Sequence, residues 1–463
     1  MTRPNILFIH SDQHRWDAVG ANGNTDIRTP NLDALAASGA NFDHYFVQAP
    51  VCMPSRMSYL TGQYPSRTGI MNNGPALPEN AVTLPAVLGE NGYFCANIGK
   101  LHFLPHSRRD HREKHPSYGF DHLEVSDEPG CYEDVYRNWV RETAPDQLDH
   151  ISLGLPPAAK AWRDRMGIVE TIRHASRVET RPVAFPGRSD VTHSAFVAER
   201  TMAFLREHHR QQFFCVAGFF SPHAPLVSPQ ECLDLYEPSK LQLPAFPEDL
   251  DRSSAAPEYR DDGLRLARQG YYACVSEVDH HVGRILACLE ELGLADRTIV
   301  VYTSDHGEWL GEHMQYGKGF PAHDCISRVP CMIRYSPAGL ANGLRISDMV
   351  EAVDLMPTLL SLADVPGPNH LQGRQLPIPG SKTELRHSAL TEGPGWKSLR
   401  TDKFRYVLGK DGTESLYDLR VPLGDYNDLA EDPRFGSELA MLRKTLIDRM
   451  VQAEVQLPAD ASY

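Results

Sequence analysis

Short unbroken apolar runs alternate along this chain with longer stretches of helical spacing. Asn5 to His10 is one such run and stops at Ser11-Asp12-Gln13; Tyr93 to Ile98 is another and ends at Gly99-Lys100-Leu101-His102. Gln212 to Phe220 runs into Ser221-Pro222-His223, and Thr298 to Thr303 into Ser304-Asp305-His306. Apolar residues without alternation over so short a span predict strands buried on both faces, as in a parallel sheet. Helical spacing runs from Pro30 to Ser38, with Asn31 as the candidate cap, and through Leu84 to Glu90, Val191 to His209, Tyr271 to Leu292 and Asp348 to Ala363. The alternation predicts an α/β fold, a mixed and mostly parallel sheet sandwiched by helices.

Two stretches break the alternation. Residues 105–190 are rich in His, Arg, Asp and Pro with weak periodicity, as in Arg108-Arg109-Asp110-His111-Arg112. They read as an insertion, either a solvated excursion or a wall over a site that selects a substrate. Proline and glycine accumulate from Val365 to Gly380 and mark a boundary. Beyond it, Trp396 to Val407 and Glu414 to Leu419 predict strands, and Ser437 to Ala453 an acidic helix. The expected layout is a main unit over 1–375 and a small α+β carboxyl-terminal domain over 381–463.

In an open parallel sheet the carboxyl ends of the strands share one edge, where ligands bind. The runs above deliver Asp12, Gln13, Lys100, His102, His223, Asp305 and His306 to that edge. Each has a plainer reading when taken singly: an acid after a strand is often a helix cap, and a lysine is usually a solvated charge. His280 and His281, inside a helical pattern, read as packed or solvated helix residues. One more candidate lies in Ala49-Pro-Val-Cys52-Met-Pro54-Ser-Arg56. Pro54 suits the first turn of a helix, so Cys52 sits at a positive helix end that favours an anion. Arg56 adds a fixed cation one turn on, although a lone cysteine is otherwise a small buried hydrophobe.

Charge narrows the partners. The 463 residues hold 46 Lys+Arg against 60 Asp+Glu, a net charge of −14, which argues against nucleic acid and leaves any anionic substrate to be drawn by local cations. No apolar run reaches the ~18 residues of a membrane span, and the amino terminus lacks the pattern of a secretion signal. The nine cysteines are odd in number and form no CxxC pair, as in reduced thiols. A cytoplasmic protein without membrane or nucleic-acid partners is expected.

Cys52-Met-Pro-Ser-Arg56 followed by Leu60-Thr61-Gly62 closely resembles the motif of the type I sulfatases of the alkaline phosphatase-like superfamily. In that family this cysteine is oxidised after synthesis to formylglycine (3-oxoalanine) by a formylglycine-generating enzyme. The resemblance implies one divalent cation held by Asp12, Gln13, residue 52, Asp305 and His306. Many sulfatases have a second Asp in place of Gln13 and an Asn in place of His306. Calcium is implied by the family, while the imidazole makes manganese a competitor. Gly99-Lys100-Leu101-His102, Pro222-His223-Ala224-Pro225 and Gly311-Glu312-His313 onward to Lys318 match further family motifs. Leu416 to Leu419 and Asn427 to Ala430 resemble the small carboxyl-terminal domain of sulfatases.

The mechanism implied by the resemblance begins with hydrated formylglycine at position 52 attacking sulfur in line to form a covalent sulfate ester. Arg56 and Lys100 hold the hydrate and the sulfate oxygens, and His223 or Lys318 protonates the departing alcohol. His102 then accepts a proton from the remaining hydroxyl as sulfate leaves. Asn72 or Asn73 gives a further substrate contact or serves only a turn. The substrate implied is a small-molecule sulfate ester, with choline, aryl and sugar sulfates all open and a homo-oligomer permitted. The nearest rival is a phosphonate monoester hydrolase or phosphodiesterase using the same site. A rival of another class is a non-catalytic binder of sulfated ligands in which Cys52 stays unconverted.

Overall fold

The computed structural model describes residues 3–106, 111, 113–152 and 180–453. Its strands are β1 (Asn5–Asp12), β2 (Ala40–Phe46), β3 (Phe94–Gly99), β4 (His122–Val125), β5 (Val183–Ala184), β6 (Phe213–Pro222) and β7 (Val227–Ser228). They continue with β8 (Thr298–Ser304), β9 (Cys331–Arg334), β10 (Leu344–Glu351), β11 (Ser388–Gly393), β12 (Trp396–Thr401), β13 (Phe404–Gly409) and β14 (Glu414–Asp418). Eight of them form one sheet in the order β10-β2-β9-β8-β1-β6-β3-β4, in which only β9 pairs antiparallel.

β1 is buried along its whole length, because both faces of the sheet are covered. Ile6 and Phe8 pack in a layer with Met53, Met57, Leu88 and Leu359, while Leu7 and Ile9 pack with Leu35, Phe196, Ile285 and Leu289 on the other side. This is the cause of the continuous apolar runs, which have no solvent face to alternate towards. Register then sets the site: Ser11 lies opposite Ser304 of β8, and Asp12 opposite Pro222 of β6. The residues just past these ends are therefore neighbours in space.

Several boundaries differ from expectation. The Pro30–Ser38 helix is not capped by Asn31; Asp279, on the long helix Asp261–Glu291, accepts from the backbone N–H of Asn31 at 3.0 Å and of Leu32 at 2.7 Å. That long helix starts well before Tyr271, since its first turns are charged and carry few apolar anchors. The Val191–His209 pattern is a helix over His193–His208. Asp348 belongs to β10 and not to a helix; the Leu355–Leu362 helix begins only after Glu351 and Asp354 cap each other's backbone reciprocally.

The expected insertion at 105–190 also builds regular structure, since β4 extends the main sheet beside β3 and a helix forms over Val135–Thr143. Residues 107–110, 112 and 153–179 of that stretch, including Arg108, Arg109, Asp110 and Arg112, lie outside the described residues. Towards the carboxyl terminus β11 to β14 form an antiparallel sheet, on which the Gly436–Gln452 helix packs through Leu439, Leu442 and Leu446. The same cluster includes Tyr64 and Val353. Glu351 accepts from Arg449 at 2.7 Å and lies 3.2 Å from Arg386, so buried charge as well as apolar contact joins this sheet to the main layer. No helix among the described residues is long and apolar enough to cross a membrane.

Buried Glu277, on the long helix, has its carboxyl pushed up to about 7, chiefly by burial. A raised carboxyl pKa contributes stability that is full below the unfolded value and is lost as pH rises through the folded one. Glu277→Gln should therefore melt like the parent at pH 4.5 and be more stable at pH 8, by about 2–3 kcal/mol. Denaturant unfolding at the two pH values checks this; a variant no more stable at pH 8 would contradict it.

Candidate active site

The chain leaves β2, runs extended through Val51 and enters the Cys52–Thr61 helix, every residue of which is buried. No side chain at Val51 caps it; instead Asn73 Oδ1 accepts from the Met53 N–H at 3.0 Å, meeting one of the first-turn donors. Cys52 Sγ lies at this end, 2.7 Å from Lys318 Nζ, 3.3 Å from His306 Nε2 and 3.9 Å from Asp12 Oδ1. Burial and Asp12 push the thiol up, but Lys318 and His306 outweigh them and hold it below its ordinary value. The position suits an anion.

One turn on, Arg56 is buried between two carboxylates. Its Nη2 donates to Asp12 Oδ2 at 2.9 Å and its Nε to Asp305 Oδ2 at 2.8 Å. Lys100 Nζ adds a second cation 2.8 Å from Asp12 Oδ2. Each carboxylate thus spends one oxygen on the arginine and turns the other inward. Asp12 Oδ1 and Asp305 Oδ1 both stand 3.7 Å from His306 Nε2. Lys100, His223, Arg56 and Lys318 together hold Asp12 well below the usual carboxylate range, against the opposing effect of its burial.

Ligand atoms of Asp12, Cys52, Asp305 and His306 all lie within 4.8 Å of one another. Two observations show that a divalent cation fits. His306 Nδ1 sits 2.8 Å from Gly307 O and donates to it, so Nε2 is the nitrogen turned to the carboxylates; against the effect of burial, Asp305 and Cys52 raise the pKa of the ring, a positive charge that a bound cation would supply in place of the proton. Gln13 gives its amide N–H to Glu308, while its buried Oε1 has no hydrogen-bond partner among the described residues. Two carboxylates, an imidazole and a spare amide oxygen suit a hard or borderline ion.

Two site residues have left-handed backbones, Gln13 at φ 68° and His102 at φ 55°. Such conformations cost roughly 1–3 kcal/mol outside glycine and persist where the surroundings enforce them. A buried carboxylate does so in each case. Asp305 Oδ1 accepts from Gln13 N–H at 3.0 Å, and Asp127 Oδ1 accepts from His102 N–H at 2.9 Å. The His102 ring stacks on His106 at 4.4 Å, and neither of its nitrogens has a hydrogen-bond partner among the described residues. Burial, His106 and Lys100 keep it uncharged.

On the outer side, Lys318 Nζ is 2.9 Å from His223 Nε2, and His223 Nδ1 is 2.6 Å from Ala224 O. His223 is therefore a neutral acceptor towards Lys318; burial and then the Lys318 charge hold its pKa well below the ordinary value. Cys52, Asp12 and Asp305 raise Lys318 in spite of burial. The structure thus joins Asp12, Gln13, Cys52, Arg56, Lys100, His223, Asp305, His306 and Lys318 in one contact network. His102 makes no hydrogen bond to them. Asn73 serves the helix end, and exposed Asn72 accepts from Gly74 N–H at 2.9 Å within its own turn.

Glu308, which orients Gln13, and Asp127, which fixes the backbone of His102, were not singled out by sequence. Glu308 stands two positions past the Asp305-His306 pair, where an acid so close to a strand-end cluster was a usable signal. Asp127 had none.

A mostly parallel α/β sheet carrying a buried carboxylate and imidazole cluster at its carboxyl edge, beside the helix end at Cys52, is the arrangement of the alkaline phosphatase-like superfamily. The family model described as Sulfatase matches residues 4–365; the chain belongs to the sulfatase family and is an enzyme that hydrolyses sulfate esters. It is 28% identical to an arylsulfatase of Clostridium perfringens, over 97% of this chain and 94% of that protein. Among solved structures it superposes on the phosphonate monoester hydrolase of Agrobacterium radiobacter with TM-score 0.82 at 25% identity, covering 98% and 96% of the two chains. It shares its fold with a protein solved in complex with its substrate D-glucosamine-2-N,6-O-disulfate, at TM-score 0.74 and 20% identity over the full length of both chains.

Removing the arginine tests the balance of charge. Arg56→Met leaves Asp12 and Asp305 facing each other without their shared cation, so chelator-treated protein should lose about 3–5 kcal/mol of stability. Added calcium or manganese should restore part of it, because the ion replaces the missing positive charge. Thermal melts with and without the ion check this, and a variant that melts with the parent in chelator would contradict it.

Proposed function

We propose that Cys52 is converted to formylglycine and that the enzyme cleaves a small-molecule sulfate ester at this position to an alcohol and inorganic sulfate. The observation that carries the reading is the convergence on one side chain: Lys318, His306 and Asp12 all reach Cys52 Sγ within 3.9 Å at a helix N-terminus. The sulfur marks where the oxygens of the hydrated aldehyde would stand. When bound, a divalent cation supplies Lewis-acid stabilisation of the charge developing on sulfate oxygens, and the hydrated aldehyde supplies the attacking oxygen.

Asp12, Gln13, Asp305 and His306, with residue 52, are the residues to hold that cation. The nitrogen of His306 favours manganese more than an all-oxygen set does, with calcium as the other candidate. Arg56 keeps the two carboxylates apart and oriented, while Lys100 and the helix N-terminus offer positive charge to the substrate's oxygens. Lys318 holds a proton at Nζ, shared towards residue 52 and His223 Nε2, and gives it to the departing alcohol oxygen. His223 accepts from Lys318 and steadies the ammonium. His102, uncharged and without a hydrogen-bond partner among the described residues, is the base available to take a proton from residue 52 when sulfate leaves. That none of the nine cysteines forms a disulfide supports work in a reducing compartment such as the cytoplasm.

The likeness to a phosphonate monoester hydrolase over nearly the whole chain makes phosphonate cleavage the second reading. Rates on matched aryl sulfate and aryl phosphonate esters separate the two: kcat/KM should favour the sulfate, and a clear preference for phosphorus would overturn the choice. Lys318→Ala should slow esters of poorly leaving alcohols by about 10²–10⁴-fold and spare those of good leaving groups. A uniform loss across a leaving-group series would remove Lys318 as the acid. Asp305→Asn should lower bound divalent metal, read by elemental analysis of the folded protein, and unchanged metal content would take Asp305 out of the ligand set.

A further inference from the structure

The segment between β8 and β9 that carries Lys318 ends, on both flanks, at one carboxylate of the carboxyl-terminal part of the chain. His313 precedes Lys318, His323 follows it, and both reach Asp425, which lies after β14. His313 Nε2 is 3.1 Å and His323 Nδ1 3.4 Å from the same oxygen, Asp425 Oδ2, and the three ligand atoms lie within 4.8 Å of one another. The first approach is a hydrogen bond. The second is a longer, poorly aligned contact: His323 is buried, with 2% of its surface exposed, and its Nδ1 has no well-aligned partner among the described residues although the carboxylate oxygen is so near.

Three donor atoms converging within 4.8 Å, one of them on a buried ring and left unaligned, are what ligands of a shared ion look like. Bonds of ~2.0–2.1 Å at tetrahedral angles set ligand atoms about 3.3 Å apart, close to the separations seen here. The rings are held in place independently. His313 stacks on Tyr426 at 3.8 Å, and His323 packs against Trp309 at 5.1 Å and Tyr417 at 5.5 Å. Burial holds His323 at about 4, so its imidazole is neutral at pH 7; the two imidazoles outweigh burial and keep Asp425 below the usual carboxylate range. Arg405 also faces His323, but its guanidinium is engaged by Asp324.

We propose that His313, His323 and Asp425 form a second metal site, for zinc or a similar borderline divalent ion, which fastens the Lys318 segment to the carboxyl-terminal sheet. Two imidazoles and one carboxylate are a donor set for zinc more than for calcium, and partial exposure of His313 and Asp425 leaves room for water as a fourth ligand. The site does not depend on the chemistry proposed at residue 52. It has its own ligands, and its test reads bound metal.

The experiment uses full-length Asp305→Asn protein, in which the cluster at Cys52 is weakened, stripped with chelator and titrated with zinc alone. One zinc per chain should remain after dialysis, and adding Asp425→Asn or His323→Gln should remove it while circular dichroism stays unchanged. Cobalt in place of zinc should give the visible absorption of a tetrahedral ion before the second substitution and none after. Absence of both bound zinc and the cobalt bands in the Asp305→Asn protein would overturn the proposal without reliance on any further variant. Equal zinc content with and without Asp425 and His323 would do the same.

Discussion

Arg56 is buried between Asp12 and Asp305, and the position of everything else at the site follows from that bridge. A guanidinium at 2% exposure is tolerated only if its charge is met, and the two carboxylates likewise need it. The sheet makes the match possible, because β1 and β8 are adjacent and in register, so that their ends deliver the two acids side by side. The planar fork of arginine then takes one oxygen from each acid and leaves the other turned towards His306, where Asp305 Oδ1 also accepts from the backbone N–H groups of Gln13 and His306. A lysine in its place would offer a point charge without that division.

The carboxyl-terminal sheet belongs to the same account. Phe320, 55% exposed and two residues beyond Lys318, packs at 5.2 Å against Trp396 of β12, and His313 and His323 close on Asp425 after β14. Residues far along the chain thus hold the segment that places an ammonium on residue 52. The main sheet holds the carboxylates rigidly, whereas the Lys318 segment follows irregular backbone between β8 and β9, with left-handed residues at Leu310, Gly311, His313 and Met314. Side-chain anchors therefore do there what strand pairing does for Asp12 and Asp305.

How much of this was legible in the sequence depended on which physical signal each part leaves. β1, β3, β6 and β8 stood out because they are covered on both faces and so are apolar throughout. β2 and β10 were missed because Asn41, Asp43 and His44 in one, and Arg345 and Asp348 in the other, interrupt the apolar pattern. The Asp348 error has the same root, since four residues of strand were read into the helix that follows. At the site, Cys52, Arg56 and the two strand-end pairs were legible as motifs. Asp127 was not, because its task is to accept backbone N–H groups from residues 25 and 26 positions earlier, and no local pattern marks such a partner.

The central claim is that residue 52 works as an aldehyde made from cysteine, and mass spectrometry of the tryptic peptide Thr29–Arg56, from protein produced with a formylglycine-generating enzyme, tests it most directly. The account predicts the mass of formylglycine or its hydrate at position 52 in the active preparation. An unmodified thiol in protein that turns over sulfate esters at full rate would contradict it.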